Sequence, residues 1–168
     1  LDEIRRYDQK MSRMRDLRRE IQEISDQLAL LPGQKILEIG TGTGNFAIFA
    51  AKIGAEVIAA DVSKPMLEYA KEKAKARLGK DAERIRFVNA GFLSYKHEGP
   101  LLDAIVTQLA LHHLPDFWKQ VALFRLSDIL KEGGKLYIRR SAGPLPKRSI
   151  FCILFPTAQV YPIRLRSY

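Results

Sequence analysis

The sequence predicts an α/β fold of the doubly wound kind, a mostly parallel sheet with flanking helices, and three observations carry that prediction. Short apolar segments rich in β-branched residues alternate with stretches of helical periodicity. The first of these segments, 35–39, runs directly into Gly40-Thr41-Gly42-Thr43-Gly44, with a glycine at every second position. A helical stretch over 45–53 follows that loop without a spacer. Strands that alternate with helices take right-handed crossovers, which set the strands parallel.

Taken in order, residues 1–29 place Ile4, Met11, Met14, Leu17, Ile21, Ile24 and Leu28 at mostly three- and four-residue steps, the pattern of one amphipathic helix. Leu31-Pro32-Gly33 ends it. Strands are expected at 35–39, 56–60, 84–89, 102–107 and 134–139, each short and apolar, with helices at 45–53, 64–78 and 117–130 between them. In the tail, 149–155 reads as one further strand and 159–166 as an edge strand, where Pro162 is tolerated. On the helix at 117–130, Trp118 is expected to pack into the core with Phe117, Val121 and Phe124.

At 168 residues the chain is one domain by length, large enough to bury about two-thirds of its unfolded surface. Its single cysteine, Cys152, cannot form an internal disulfide, which fits a reducing, cytoplasmic setting. No apolar run approaches the roughly 18 residues of a membrane span. The net charge of +9 is unevenly spread. Arg139, Arg140, Lys147, Arg148, Arg164 and Arg166 lie in a tail without an acid, while the rest of the chain is nearly balanced. A core without a basic stripe disfavours nucleic acid as a partner and leaves only the tail to bind it. The tail also holds the apolar run 150–155, which needs burial and makes a homodimer through that edge an alternative.

In sheets of this kind ligands lie beyond the carboxyl ends of the strands, near the point where strand order reverses. That rule selects Glu38-Ile39-Gly40, Asp61, Asn89-Ala90-Gly91-Phe92 and Thr107-Gln108-Leu109. Asp61 can accept both hydroxyls of a ribose, or it can cap the helix that opens at Asp61-Val62-Ser63-Lys64-Pro65. Two nucleoside cofactors are compatible with this much. Gly42-Thr43-Gly44-Asn45-Phe46-Ala47 matches the G-x-G-x-x-A dinucleotide fingerprint, so a nicotinamide-dependent oxidoreductase is one reading. Glu38 argues against it, because a carboxylate at the mouth of the loop repels a pyrophosphate and welcomes a cation. S-adenosylmethionine carries a ribose, an ammonium and a sulfonium, and no phosphate.

Four motifs in fixed order carry a resemblance. These are Glu38-x-Gly40-x-Gly42-x-Gly44, Asp61-Val62-Ser63-x-x-Met66-Leu67, Leu111-His112-His113-Leu114-Pro115-Asp116 and Leu130-Lys131-Glu132-Gly133-Gly134-Lys135-Leu136. Together they resemble the class I S-adenosylmethionine-dependent methyltransferases over about residues 35–139. The resemblance implies a Rossmann-like sheet and S-adenosyl-L-methionine as cofactor. It also implies that Glu38, Gly40, Thr41, Gly42 and Gly44 meet the methionine portion, that Asp61 meets the ribose, that Met66 packs near the adenine with Ala90, Gly91 and Phe92 in the adenine segment, and that Val62 and Gln108 complete the cofactor site. Many members have an acid where Gly91 stands, and the family continues after its fifth strand with a helix and an antiparallel strand pair, which only the short tail is left to supply here.

Methyl transfer needs positioning above all, so a dedicated catalytic group is optional. If the acceptor is a hydroxyl or a protonated amine, His112 and His113 are the candidate bases, since they follow the fourth strand. His97, in a polar loop, is expected to be solvated. Tyr7-Asp8 could fold over the cofactor, with packing on a helix face the favoured role for Tyr7. No cysteine–histidine cluster has metal spacing. The expected organisation is one methyltransferase-like domain over 1–168, with an N-terminal helix (1–32), a cofactor-binding core (33–140) and an atypical basic tail (141–168). Its expected function is methyl transfer to a small-molecule O or N acceptor. A non-catalytic module that binds S-adenosylmethionine is the third alternative.

Overall fold

The computed structural model describes residues 1–139 and the backbone of the strand at 150–154. The elements run α1 (Asp2–Met14), α2 (Leu17–Leu28), β1 (Lys35–Ile39), α3 (Asn45–Lys52), β2 (Glu56–Asp61), α4 (Lys64–Leu78), β3 (Ile85–Asn89), β4 (Leu102–Gln108), α5 (Asp116–Ser127), β5 (Leu130–Arg139) and β6 (Ile150–Leu154). One sheet holds all six strands in the order β3-β2-β1-β4-β5-β6. β1 to β5 pair in parallel, and β6 pairs antiparallel with β5, Tyr137 lying opposite Cys152. The doubly wound fold and the tail strand expected at 149–155 are therefore present. The expected edge strand at 159–166 lies outside the described residues.

Alternation along the strands feeds two cores. Ile36 of β1 packs with Phe46, Ala47 and Ala50 of α3 and with Ile21, Ile24 and Leu28 of α2. Leu37 and Ile39 point the other way, toward Ala122, Leu123 and Leu126 of α5. Because both faces are covered, the strands read as continuous apolar runs rather than as alternating ones.

Two expectations are corrected. The N-terminal helix is two helices, because Arg15 takes an extended conformation and Asp16 caps α2, its carboxylate accepting the Arg19 N–H at 3.1 Å. An aspartate that can serve as an N-cap competes with helix continuation, and the apolar steps run on across the break without marking it. On α5, Phe117, Trp118 and Phe124 are 67%, 44% and 51% exposed. The stripe expected to be core faces outward among the described residues, and Ala122, Leu123 and Leu126 take the inward side.

Candidate functional site

The strand order reverses between β1 and β4, and a cavity of about 740 Å³ opens beyond the carboxyl ends of the central strands. That volume lies within the range of small-molecule sites. Two glycines shape its floor for different reasons. At Gly40 (φ +80°) a Cβ would lie 2.3 Å from the Cβ of Ala110, so the loops after β1 and β4 touch only because none is there. At Gly42 (φ +53°) a Cβ would meet nothing within 4 Å, since that direction is open.

Glu38 is 2% exposed. Its carboxylate accepts the Thr41 hydroxyl at 2.6 Å, the Gln108 amide at 3.4 Å and the backbone N–H of Ala47, in the first turn of α3. The acid therefore caps α3 from inside the sheet, where the sequence suggested an open carboxylate at the mouth. Burial pushes its pKa up to about 8, against the pull of these three donors and with a small further push from Asp61.

Asp61 ends β2. One carboxylate oxygen accepts the Gly42 N–H at 2.8 Å and the other the Ser63 N–H at 2.9 Å. Ser63, not Asp61, is the N-cap of α4, its hydroxyl accepting the Met66 N–H at 3.4 Å. The capping alternative for Asp61 is thereby removed. Ser63→Ala is expected to cost about 1 kcal/mol of stability. Asp61→Ala is instead expected to weaken cofactor binding by about 1.5–3 kcal/mol. Calorimetry and thermal denaturation on the two variants check the division.

Of the expected site residues, Glu38, Gly40, Thr41, Gly42, Asp61 and Val62 line the cavity from the ends of β1 and β2. Ala90, Gly91, Phe92, Gln108 and His113 line it from the ends of β3 and β4. Gly44, Met66 and His112 are not among the lining residues. Gly44 turns toward α4, where a Cβ would lie 3.0 Å from that of Ala70. Met66 is half-buried in the first turn of α4. The rings of His112 and His113 are 4.1 Å apart, and only His113 reaches the cavity wall. His97, expected to be solvated, lies 3.1 Å from the Tyr95 hydroxyl and 2.9 Å from the Pro100 carbonyl, so it ties its loop together. At Gly91 a Cβ would lie 2.7 Å from Val62 Cγ1, so Val62 fills the room that a side chain at that position needs.

The cavity's cover escaped the sequence reading in part. Tyr7 and Met11 of α1, Arg15 at the break, and Leu17, Glu20 and Ile21 of α2 line it. Tyr7 faces the cavity, where helix packing was the favoured expectation. Buried Glu20 is held by Arg15 and, at 2.7 Å, by Arg139 at the end of β5, which anchors α2 to the sheet. Leu109 at the end of β4 has φ +52°, a strained conformation for a leucine, and lies in the wall. No residue type announces such a conformation, so the sequence held no signal for it.

Residues 36–134 match the family model described as "Methyltransferase domain". The chain belongs to the class I S-adenosylmethionine-dependent methyltransferases. It is 31% identical over 140 residues to an uncharacterized methyltransferase of Geobacillus sp. (strain WCH70), a match covering 81% of this chain and 62% of the relative. To a demethylmenaquinone methyltransferase of Thermus thermophilus it is 32% identical over 124 residues, 73% of this chain and 53% of the relative. A methyltransferase from Thiobacillus denitrificans, solved with S-adenosyl-L-homocysteine, shares the fold at a TM-score of 0.62 and 20% identity, covering 73% of this chain and 48% of that one. The chain spans about half to three-fifths of the length of the curated relatives it matches.

The donor set fits this methyltransferase family's cofactor. Two acidic side chains, Glu38 and Asp61, line the cavity together with Gly42, and the one arginine or lysine among the described lining residues is Arg15, in the cover and already bonded to Glu20. A pyrophosphate would find no basic side chain at the loop, whereas a cationic ligand with a ribose finds two acids.

Proposed function

We propose that this chain binds S-adenosylmethionine in the cavity and transfers its methyl group to the oxygen or nitrogen of a small, largely apolar acceptor. The observation that carries the reading is the cavity's lining. Glu38, Gly42 and Asp61 contribute acids and a glycine floor from the ends of β1 and β2, and Met11, Leu17, Ile21, Leu109 and Leu114 contribute apolar side chains from the α1–α2 cover and the loop after β4. The cofactor, when bound, supplies a methyl group already activated by its sulfonium. The chain's residues then have three tasks: to hold the cationic methionine portion near Glu38, to seat the ribose on Asp61, and to exclude water with the α1–α2 cover. Relatives named demethylmenaquinone methyltransferases support an apolar acceptor. Among the described residues no helix is long and apolar enough to cross a membrane.

Calorimetry with S-adenosylmethionine, S-adenosylhomocysteine and NAD, followed by labelled-methyl incorporation into phenols, amines and quinols, tests the reading. Binding of NAD in preference to the other two would sink it, and cofactor binding without methyl transfer to any acceptor would favour a non-catalytic module. His113, at the cavity wall, is the residue to accept the acceptor's proton. His113→Asn is expected to lower kcat on a hydroxyl acceptor about a hundredfold or more. Cofactor affinity should be unchanged in that variant, and His112→Asn should stay near wild type. Equal losses in the two variants would argue for loop structure instead.

A further inference from the structure

Polar bonds, more than apolar burial, hold α1 over the cavity. Its one buried residue is Asp8, while Tyr7 and Met14 are exposed and Ile4 and Met11 only half-buried. Both Asp8 oxygens are in use. Oδ1 accepts the Thr43 hydroxyl at 2.6 Å and the Asn45 side-chain amide at 3.2 Å. Oδ2 accepts Lys73 Nζ at 2.7 Å and the Tyr69 hydroxyl at 3.3 Å. Lys73, itself buried on α4, also donates to Asn45 Oδ1 at 2.7 Å. Burial alone would raise the Asp8 carboxyl's pKa, but the bonds from Lys73 and Thr43 outweigh it and hold the group below its ordinary value. Burial pulls the Lys73 ammonium below its ordinary value against the opposing pull of Asp8, and the 2.7 Å contact between the two is that of an ion pair.

Thr43 stands between Gly42 and Gly44, and Asn45 opens α3. Two of the four groups that Asp8 gathers, those of Thr43 and Asn45, thus belong to the segment framing the open space at Gly42, and the other two, of Tyr69 and Lys73, belong to α4. Tyr7 and Met11, on the same helix as Asp8, line the cavity above it. We infer that Asp8 is a positioning residue that hangs the cavity's cover on the cofactor loop, so that the cover and the loop 41–45 are ordered together. The inference rests on the reading of the cavity as a cofactor site. Coupling of this kind is reciprocal: a ligand that orders the loop also holds the cover, and without the cover the ligand must order the loop itself.

Two variants separate positioning from mere stability. Asp8→Asn is expected to weaken S-adenosylhomocysteine binding by about tenfold or more and to lower the melting temperature, because Lys73 stays buried without its counter-charge. The double variant Asp8→Leu/Lys73→Met replaces the ion pair by apolar side chains, a change that buried pairs often tolerate. It should regain much of the melting temperature and none of the affinity, since leucine has no oxygen to accept from Thr43 and Asn45 and their bonds to α1 are lost. Hydrogen exchange without ligand provides a third reading. Amides of 2–14 and 41–45 should exchange faster together in both variants, with the central strands unchanged. Wild-type affinity in the double variant, or faster exchange in α1 with 41–45 unaltered, would overturn the inference. If the wild-type protein binds no S-adenosylhomocysteine, the cofactor reading fails, and the exchange comparison alone decides whether Asp8 couples helix to loop.

Discussion

Glu38→Gln is expected to make the ligand-free protein more stable above pH 8 while removing most of its affinity for S-adenosylmethionine. The carboxyl is buried and holds its proton up to about pH 8, whereas in the unfolded chain it ionises near its ordinary value of 4.5. Between those two values the folded state carries one proton more than the unfolded state, so stability falls as pH rises. The full difference amounts to about 4–5 kcal/mol, reached near pH 8 and constant above it. Glutamine keeps the shape and an acceptor oxygen for Thr41 and Ala47 but does not titrate. The variant and wild type should therefore melt alike near pH 5 and diverge progressively toward pH 8, the variant being higher. Binding moves in the opposite sense, since a cationic cofactor needs the ionised form. Wild-type binding near neutral pH should release a proton, visible as a calorimetric enthalpy that changes with the buffer's ionisation heat. A variant whose melting temperature runs parallel to wild type from pH 5 to 8.5 would refute the buried, protonated carboxyl.

Gly40→Ala and Gly42→Ala are expected to fail in opposite ways, although both glycines have positive φ. The left-handed backbone costs an L-residue about 1–2 kcal/mol at either position. At Gly40 the new methyl group would also lie 2.3 Å from Ala110, so one of the two loops must shift. Overpacking adds about 1–3 kcal/mol. For a chain of this size each kcal/mol lowers the melting temperature by about 2–4 °C, so Gly40→Ala should lose roughly 4–20 °C. Gly42→Ala carries only the backbone strain, because nothing lies within 4 Å of its new Cβ. Its methyl group enters the space proposed for the cofactor, and affinity should fall by about 1.4 kcal/mol or more, at least tenfold. Unchanged affinity in Gly42→Ala would remove the loop from the cofactor site.

Much of this was readable from residue order, and the limits of that reading are physical. The alternation of apolar strands with helical periods is a local pattern, which set the sheet and its boundaries to within a few residues, apart from the early start of β5 at Leu130. The glycine loop, the acid before it and the acid ending β2 sit next to the elements that place them, so spacing alone located the cavity's floor. The same local logic failed where a residue's partner is distant in sequence. Asp8 is one acid among the charged flanks of a helix, and only the docking of α1 brings it to Thr43, Asn45 and Lys73. Glu20 meets Arg139 in the same manner.

Periodicity reports that a helix has an apolar face, not what that face meets, and for this reason Phe117, Trp118 and Phe124 read as core and lie exposed. By itself, then, the sequence determined the doubly wound sheet and the glycine loop after β1, because short-range propensity and strand-to-helix spacing specify them, while the order of four motifs carried the family resemblance. Only the tertiary structure decided that Glu38 is buried and caps α3, that Ser63 rather than Asp61 caps α4, and that α1 closes over the cavity through Asp8. Each of those outcomes depends on which polar groups burial brings within hydrogen-bonding distance, and that distance is settled by packing rather than by order along the chain.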